Sequence, residues 1–297
     1  MRNHMNACPA CTSTDLRLGP VSHATGRAIA RCRSCGATFW GNGSARDAEV
    51  IELDEVSQDD YADWTDLKRG EVGPEAWRAV TTKLKAQLPA DALVYDIGAG
   101  DGGYPALARD EFGFRVSGND VVEGAVKLAK DRHDVDLELG DISEHGHDGD
   151  LDAVTMWCVL AHVPDGAKLL ADVNDALKPG GLLYLQTPRC SKVDKGAQLL
   201  QRATKGRVNK LADRRIAEHH TILHTEKSIR TALERAGFTD IVVEASPRYA
   251  LTSRAYLASM NPPKWVLEAG SRAMDSVIES RLAPRIVLDV YARKPLS

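Results

Sequence analysis

The sequence predicts a doubly wound α/β domain, in which a mostly parallel seven-stranded sheet carries helices on both faces, preceded by a small N-terminal zinc-ribbon module. Three observations support this prediction. Apolar runs alternate with amphipathic helical stretches from Leu93 onward, a glycine-rich turn follows the first of these runs, and two C-x-x-C pairs lie near the N-terminus. Such strand–helix alternation with short turns is typical of parallel sheets covered by helices.

Seven strands and five helices are expected in this domain. The strand candidates are residues 93–97, 115–119, 136–139, 151–156, 181–187, 240–244 and 285–292. The helix candidates are residues 104–111, 123–133, 165–177, 225–236 and 265–280. The last strand follows Pro284 and has no helix after it, so it can enter the sheet antiparallel. Asp165 precedes a helix, where we expect it to cap the N-terminus.

Composition divides the chain into three regions. Residues 1–45 carry the cysteine pairs, short β-like runs and Gly-rich turns. Residues 46–91 begin acidic and continue in a helical pattern, which predicts a helical linker or lid, and residues 92–297 hold the strand–helix alternation. The 297 residues are sufficient for one large domain with a small appendage.

Charge and hydropathy exclude several classes of protein. The 38 basic and 42 acidic residues give a net charge of −4, so we do not expect a nucleic acid partner. The apolar runs fall short of the roughly 18 residues that a membrane span needs, which predicts no transmembrane segment. The first ten residues contain no apolar stretch typical of a secretory signal. We therefore expect a cytoplasmic protein.

The paired cysteines have the spacing of a zinc ribbon. Two residues separate the members of each pair and twenty separate the pairs, which gives the ligand set Cys8, Cys11, Cys32 and Cys35. In a reducing compartment such pairs indicate a metal site rather than disulfides. Four thiolates close a tetrahedral shell, so this zinc is expected to be structural and to stabilise a segment too small for its own core. Binding of nucleic acid by the ribbon stays open, because its arginines outnumber its acids.

A glycine-rich turn follows the first strand. Residues 94–102 read VYDIGAGDG, with glycines at 98, 100 and 102. Glycine is needed where a chain turns sharply and a ligand lies against the backbone, and this turn faces the crevice at the carboxyl ends of the strands. Asp120 ends the next strand, where a carboxylate can accept hydrogen bonds from both hydroxyls of a ribose. The dinucleotide pattern is G-x-G-x-x-G, whereas this turn has G-x-G-x-G, so binding of NAD or FAD stays an alternative at this point.

Five segments, in order, resemble the motifs of class I S-adenosylmethionine-dependent methyltransferases. They are DIGAGDG at 96–102 with Asp120, GDI at 140–142, WCVLAHVPD at 157–165, LKPGG at 177–181 and GF at 237–238. The resemblance is to the small-molecule subgroup that includes ubiquinone-type and natural-product-type O-methyltransferases. It implies the Rossmann-like methyltransferase fold, with S-adenosylmethionine as cofactor.

The resemblance also implies roles for single residues. Asp96 would stabilise the turn and the charged methionine end of the cofactor, for which Gly98, Gly100 and Gly102 leave room. Asp120 would hold the ribose. Asp141 and Ile142 are expected to contact the adenine, and Trp157 and Cys158 are expected to lie under the ligand near the methyl group. A structural role in the core stays open for Trp157 and for its neighbour Cys158.

Two histidines are candidates for the chemistry. Methyl transfer depends mainly on in-line positioning, but a hydroxyl acceptor also benefits from a base, and histidine titrates nearest neutrality. His162 follows the fourth strand, and His220 lies in AEHHTILHTEKS, which resembles a segment that supplies a substrate-facing histidine in several family members. We predict His220 as the general base and His162 as the residue that orients the acceptor, and structural roles for both stay open.

A basic insert at 189–220 follows the fifth strand and ends at His220. Its first 27 residues hold two acids, Asp194 and Asp213, against Arg189, Lys192, Lys195, Arg202, Lys205, Arg207, Lys210, Arg214 and Arg215. In this fold the region after the fifth strand commonly covers the substrate, so we expect a lid that attracts an anionic acceptor. A solvated helix face is the simpler interpretation, and contact with a membrane surface is a third.

The sequence as a whole predicts methyl transfer to a small molecule, most simply to a hydroxyl of a sugar or secondary metabolite. An enzyme that methylates RNA bases and docks through the ribbon is one alternative, and a non-catalytic cofactor-binding scaffold is another. The segment Asn261-Pro262-Pro263 resembles the N-P-P motif of amino-methylating enzymes, but it follows the sixth strand instead of the fourth and therefore indicates a loop.

Overall fold

The computed structural model describes residues 6–22, 28–41, 72–208, 216, 220–247, 253–258, 263–280 and 283–296. Its strands are β1 (Leu16–Val21), β2 (Ala28–Cys32), β3 (Thr38–Trp40), β4 (Leu93–Ile97), β5 (Arg115–Asp120), β6 (Glu138–Leu139), β7 (Leu151–Trp157), β8 (Leu177–Pro188), β9 (Ile222–Leu223), β10 (Thr239–Ser246) and β11 (Val287–Arg293). Its helices are α1 (Val72–Lys85), α2 (Gly103–Phe112), α3 (Glu123–His133), α4 (Gly166–Ala176), α5 (Lys192–Ala203), α6 (Glu226–Arg235), α7 (Ser253–Ala258) and α8 (Lys264–Glu279).

Seven strands form the main sheet in the order β10-β11-β8-β7-β4-β5-β6. The pairs from β8 through β6 are parallel, whereas β11 runs antiparallel to both β8 and β10. The expected mostly parallel sheet is therefore confirmed, as is the antiparallel entry of the last strand. The seven strands and five helices expected from the sequence all occur, with ends shifted by up to four residues. Asp165 caps α4 by accepting a hydrogen bond from the Lys168 N–H at 2.9 Å.

Side chains of the central strands alternate between two hydrophobic layers. On β8, Leu183 and Leu185 face a cluster that contains Leu170 of α4 and Leu233 of α6. Leu182 and Tyr184 of the same strand face a second cluster, with Trp77, Leu84, Tyr104 and Leu107 from α1 and α2. Burying a side chain of this size stabilises the fold by about 1.5–3 kcal/mol. The sheet is thus covered on both faces, which is the doubly wound arrangement.

A second, antiparallel sheet has the order β1-β2-β3-β9. Its first three strands belong to the N-terminal module, but β9 comes from the chain between β8 and α6. Thr38 pairs with Leu223 and Phe39 with Ile222. The small sheet therefore extends beyond the boundary that we predicted at residue 45, because its fourth strand comes from the C-terminal side of that boundary.

Residues 46–71 of the expected linker lie outside the described residues, and its described portion begins with α1. The Asn261-Pro262-Pro263 segment also lies largely outside them, although Pro263 directly precedes α8. Among the described residues, no helix combines the length and apolar character that crossing a membrane requires.

Candidate functional site

The glycine-rich turn connects β4 to α2 at the carboxyl ends of the strands. Gly98, Gly100 and Gly102 have φ angles of 66°, 62° and 76°, in the left-handed region that favours glycine. A Cβ atom at Gly98 would lie 2.6 Å from Cγ2 of Val159, so the turn packs closely against the segment after β7. Of the three glycines only Gly98 is exposed, so a ligand can lie against the backbone there.

Asp120 ends β5 beside this turn. Its Oδ2 accepts a hydrogen bond from the Gly100 N–H at 2.8 Å, and its Oδ1 accepts one from the Val122 N–H at 3.0 Å. The preceding Asn119 donates from Nδ2 to the Gly140 carbonyl at 2.6 Å. Two strand ends and the turn are therefore held together by side chains of two consecutive residues, and the carboxylate is oriented toward the turn.

Asp96 is buried within β4, where its Oδ1 accepts a hydrogen bond from Thr155 Oγ1 at 2.5 Å. Burial raises the pKa of the Tyr104 phenol well above its ordinary value, and the Asp96 carboxylate adds to the shift. Tyr104 therefore remains a neutral donor at any physiological pH. Asp101, which the sequence analysis did not single out, is also buried, and its Oδ2 lies 3.6 Å from Nη1 of Arg132 on α3. Its position inside the glycine motif was the signal that could have identified it.

The two residues expected at the adenine lie after β6. Asp141 is exposed and begins the 3₁₀ turn Ile142–Glu144, which it caps together with Glu144. Ile142 is 3% exposed and packs into the hydrophobic cluster with α4 and α6.

Trp157 at the end of β7 belongs to an aromatic cluster. Its ring centroid lies 4.8 Å from that of Tyr184, 5.1 Å from that of Tyr104 and 6.3 Å from that of Trp77. The indole Nε1 is buried and has no hydrogen-bond partner among the described residues. Buried donors are nearly always paired, so this N–H indicates that a ligand or water completes the site.

His162 and His220 lie side by side although 57 residues separate them in sequence. Their ring centroids are 4.8 Å apart, and Nε2 of His162 lies 3.9 Å from Sγ of Cys158. The Thr221 N–H donates to the Ala161 carbonyl at 2.7 Å, which joins the segment carrying His220 to the turn carrying His162. The structure therefore brings together the two predicted histidines and the thiol of Cys158, for which the sequence left a structural role open.

The other histidines of the AEHHTILHTEKS segment differ from His220. His224 is 3% exposed, its Nδ1 lies 3.1 Å from Oγ of Ser228, and burial lowers the pKa of its imidazole to about 4. His224 is thus neutral and structural near pH 7. His219 lies outside the described residues.

The four N-terminal cysteines converge on one point. Sγ of Cys8 lies 3.6 Å from Sγ of Cys35, and Sγ of Cys11 lies 3.5 Å from Sγ of Cys32. A tetrahedral shell with Zn–S bonds of about 2.3 Å separates its sulfurs by about 3.8 Å, so this donor set fits zinc. The two pairs also form equivalent turns, in which the N–H groups of Thr12 and Gly36 donate to the carbonyls of Cys8 and Cys32.

The segment after β9 is attached to the cysteine turns. Oγ1 of Thr225 donates to the Cys35 carbonyl at 2.6 Å, and Nζ of Lys227 donates to the Ser34 carbonyl at 2.8 Å. A Cβ atom at Gly36 would lie 3.1 Å from Cγ2 of Thr225, so the approach is close. The N-terminal module therefore buttresses the chain that carries His220.

Helix α5 lies in the described part of the basic insert, residues 189–208, and packs on the N-terminal module. Its buried residues are Asp194, Ala197, Gln198 and Gln201, whereas Leu199 and Leu200 are exposed. Arg189 forms an ion pair with Glu226 at 2.8 Å. Burial lowers the pKa of the Arg202 guanidinium, and the nearby charges of Arg17 and Arg31 act in the same direction.

Three arginines of the insert and the ribbon thus share one basic surface: Arg17, Arg31 and Arg202. Lys210, Arg214 and Arg215 lie outside the described residues, as does Asp213. The expected lid over the acceptor stays a prediction.

A cavity of about 390 Å³ lies at the opposite end of the sheet. It is bounded by α1, the beginning of β8 and the edge strands, with Lys83, Glu244 and Arg293 in its wall. None of the predicted site residues lines it, so the candidate site is the crevice at the carboxyl ends of the strands.

Two curated methyltransferases match part of this chain. Ubiquinone biosynthesis O-methyltransferase of Thiobacillus denitrificans is 36% identical over 124 residues, which cover 39% of this chain and 52% of the relative. Phosphoethanolamine N-methyltransferase 2 of Caenorhabditis elegans is 27% identical over 194 residues, which cover 62% of this chain and 41% of the relative. The chain thus spans about half, or less, of the length of these curated relatives.

The solved structure of phosphoethanolamine N-methyltransferase 2 of Haemonchus contortus in complex with S-adenosyl-L-methionine shares the fold. It aligns with a TM-score of 0.60 at 19% identity, over 87% of this chain and 64% of that chain. The family model described as "Methyltransferase domain" matches residues 70–243, which is more than half of the chain. This protein therefore belongs to the methyltransferase domain family.

Proposed function

We propose that this protein is an S-adenosylmethionine-dependent methyltransferase that modifies a small-molecule acceptor, at a hydroxyl group of a sugar or secondary metabolite. The observation that carries the proposal is the juxtaposition of two half-sites at one edge of the sheet. The glycine turn with Asp120 forms one half, and His162 with His220 forms the other. A cofactor in the first half would present its methyl group to an acceptor in the second.

Several features of the first half fit S-adenosylmethionine. The left-handed glycines leave the backbone open for the methionine end, with Asp96 beneath them as the fixed negative charge. The Asp120 carboxylate would accept hydrogen bonds from the ribose hydroxyls. Asp141 would bind the adenine amino group, and Ile142 would support the adenine from the core side. The Trp157 indole N–H, which is buried near the expected methyl position, fits a bound ligand as its missing acceptor.

The histidines supply the chemistry on the acceptor side. When bound, the cofactor supplies an electrophilic methyl group on a sulfonium sulfur. A hydroxyl acceptor must lose its proton as its oxygen takes up that methyl group, and we assign the proton to the imidazole of His220. His162, whose ring lies 4.8 Å away, would orient the acceptor. Positioning and general base catalysis are the two contributions that this arrangement can make.

The cysteine cluster would hold one structural zinc ion. All four positions of the shell are protein thiolates, which leaves none for water or substrate. Its contribution to function would be indirect, through β9 and the contacts of Thr225 and Lys227 with the cysteine turns.

Charge and the names of the relatives support our choice of acceptor class. The basic surface of Arg17, Arg31 and Arg202 favours an anionic acceptor, such as a phosphate-bearing metabolite or nucleotide-linked sugar. The names of the relatives include both an O-methyltransferase and an N-methyltransferase of a phosphorylated amine. We favour oxygen because a base beside the acceptor is most useful for a hydroxyl.

One observation favours a second candidate, methylation of an RNA base. The arginines of the ribbon lie in the same surface as those of the insert, and such a surface can contact phosphates. Against it stand the net charge of −4 and the acidic residues elsewhere.

A single labelling experiment tests both candidates. Protein is incubated with methyl-labelled S-adenosylmethionine and, separately, with phenols, nucleotide-linked sugars, phosphorylated amines and total RNA. We expect label in one of the small-molecule fractions, and much less of it at the same cofactor concentration when Asp120→Ala replaces the wild type. Label in RNA with salt-sensitive binding would replace our proposal by the second candidate. Failure of S-adenosylhomocysteine to bind in calorimetry would refute both.

A further inference from the structure

Cys158, His162 and His220 bring one thiol and two imidazoles to the acceptor side. One ligand atom from each residue lies within 4.8 Å of those of the other two. Thiol sulfur and imidazole nitrogen are the donors that zinc and similar divalent ions prefer, and three protein ligands with one open position are typical of zinc sites that exchange or act on ligands. The cluster is separate from the cysteines of the N-terminal module.

The backbone holds the three residues in place. Cys158 has a φ angle of 65°, a conformation that costs energy in a residue other than glycine, and its N–H donates to the Gln186 carbonyl at 3.1 Å. Thr221 fixes the two histidine segments to each other through the N–H and Oγ1 contacts with the Ala161 carbonyl, at 2.7 and 3.0 Å. The thiol and both rings are therefore directed to one side of the crevice by elements that do not depend on a metal.

The distances distinguish this cluster from the ribbon. The paired sulfurs of the ribbon stand at 3.5 and 3.6 Å, close to the spacing of a zinc-bound shell. In the second cluster, Sγ of Cys158 and Nε2 of His162 are 3.9 Å apart, and the three ligand atoms all lie within 4.8 Å of one another. Zinc-bound sulfur and nitrogen lie about 3.5 Å apart, so this pair would have to approach by about 0.4 Å on binding. His162 is also exposed, which gives an ion access from solvent.

We propose that Cys158, His162 and His220 form a second, exchangeable site for a thiophilic divalent cation, with Zn²⁺ as the natural occupant and Co²⁺ as a spectroscopic substitute. Its occupation has a consequence that rests on the proposed function. An imidazole nitrogen of His220 that binds the ion cannot accept the proton of the acceptor. The ion would therefore inhibit methyl transfer reversibly, and a chelator would restore it.

The test measures metal binding without cofactor or acceptor. Full-length protein is first loaded with zinc at the ribbon and freed of excess metal, and is then titrated with Co²⁺. We expect one further equivalent to bind, with the absorption band of thiolate-to-cobalt charge transfer. Cys158→Ser should abolish the band, and His162→Gln should weaken binding at least about tenfold, since loss of an outer-shell partner alone costs that much. Cys190→Ser, which removes the other cysteine outside the ribbon, is the matched control and should keep the band.

Two results would overturn the site. One is the absence of a second equivalent in the wild type, and the other is a band that persists in Cys158→Ser, which would assign the cobalt to the ribbon. A methyl-transfer assay then tests the consequence: Zn²⁺ should inhibit the wild type, and Cys158→Ser should need at least about tenfold more Zn²⁺ for the same inhibition. Because the titration needs no activity, its failure leaves the proposed methyltransferase function standing, and the labelling experiment tests that function independently.

Discussion

The glycine turn and Asp120 on the cofactor side of the crevice lie within one β-α-β unit, whereas the acceptor side draws on segments from distant parts of the chain. Between Asp96 and Asp120, the turn, its glycines and the carboxylate that contacts Gly100 lie within 25 consecutive residues. On the acceptor side, His162 and His220 meet where Thr221 contacts Ala161, directly before β9, which pairs with a strand of the N-terminal module. The first side is a local motif, and the second depends on how the module docks.

This difference predicts that damage to the ribbon affects acceptor chemistry more than cofactor binding. Cys32→Ser removes one thiolate from a shell whose metal contributes on the order of 10–16 kcal/mol to folding in small zinc modules. We expect less than one zinc per chain by metal analysis and a lower kcat, because β3 no longer supports β9. Affinity for S-adenosylhomocysteine, measured by calorimetry, should change less than about twofold.

Cys190→Ser is the control for that variant, since it replaces a buried cysteine without touching the metal shell. Full zinc content in Cys32→Ser would show that Cys32 is not a ligand. An equal loss of cofactor affinity and kcat would show that the two sides are not separable.

The sharpest probe of the acceptor side is His220→Ala. Loss of a general base typically lowers the rate about 10²–10⁴-fold, and we expect kcat to fall by that order while affinity for S-adenosylhomocysteine is unchanged. His162→Ala should raise the acceptor KM at least as much as it lowers kcat. His147→Gln, at a histidine that contacts Glu138 and Asp150 and neither of the two candidate histidines, serves as the control. If His220→Ala kept most of its kcat, positioning alone or His162 as base would be the better account.

Acid should weaken the fold through His224, which lies between β9 and α6. The pKa of its imidazole is about 4 in the folded protein and about 6.5 when exposed, so the unfolded chain takes up a proton first as the pH falls. The free energy of unfolding should therefore decrease between pH 6.5 and pH 4, by up to about 3 kcal/mol from this residue. Urea unfolding at pH 7 and pH 4.5 measures the effect. His224→Gln should reduce the difference between the two pH values, and an unchanged difference would mean that other groups dominate.

On the cofactor side, Asp120→Ala removes a charged acceptor of hydrogen bonds. We expect S-adenosylhomocysteine affinity to fall by about 1.5–3 kcal/mol in calorimetry. The Asp120 carboxylate also accepts hydrogen bonds from the Gly100 and Val122 N–H groups, so the substitution can destabilise the fold. The thermal unfolding of the variant must therefore be measured together with its affinity. Asp148→Ala, an exposed acid beyond the 3₁₀ turn, is the control. Unchanged affinity in a folded Asp120→Ala protein would contradict the assignment of Asp120 to the ribose.

The smallest effect is expected from the exposed cations of the insert. Replacing Lys192, Lys195 and Arg207 by alanine should raise the acceptor KM several-fold without changing the cofactor KM, and added salt should shrink the difference. Lys127→Ala on α3 is the matched control on the cofactor side. An unchanged acceptor KM at low ionic strength would identify the insert as a solvated face.

Local patterns were sufficient to predict the elements of the main sheet. Residues 93–97 and 123–133 occur as expected, because an apolar run before glycines and a helical period of apolar residues depend on neighbours in sequence. The zinc spacing is equally local, since each cysteine pair forms its own turn. The strand Ile222–Leu223 was not predicted, because two residues are too few to show an alternation of apolar and polar side chains. The strand with which it pairs also lies about 180 residues earlier in the sequence.

The sequence by itself therefore determined the doubly wound fold, the glycine turn with Asp120 and the cysteine shell, in all of which the interacting residues follow short, recurring spacings. Only the tertiary structure decided that His162, His220 and Cys158 share one face of the crevice, and that the N-terminal module supports the segment carrying His220. The physical reason is that these contacts come from docking of separate segments, through backbone hydrogen bonds such as that from Thr221 to Ala161. Every residue type has a backbone carbonyl, and every type but proline has a backbone N–H. Such hydrogen bonds therefore cannot be predicted from the identity of the residues that form them.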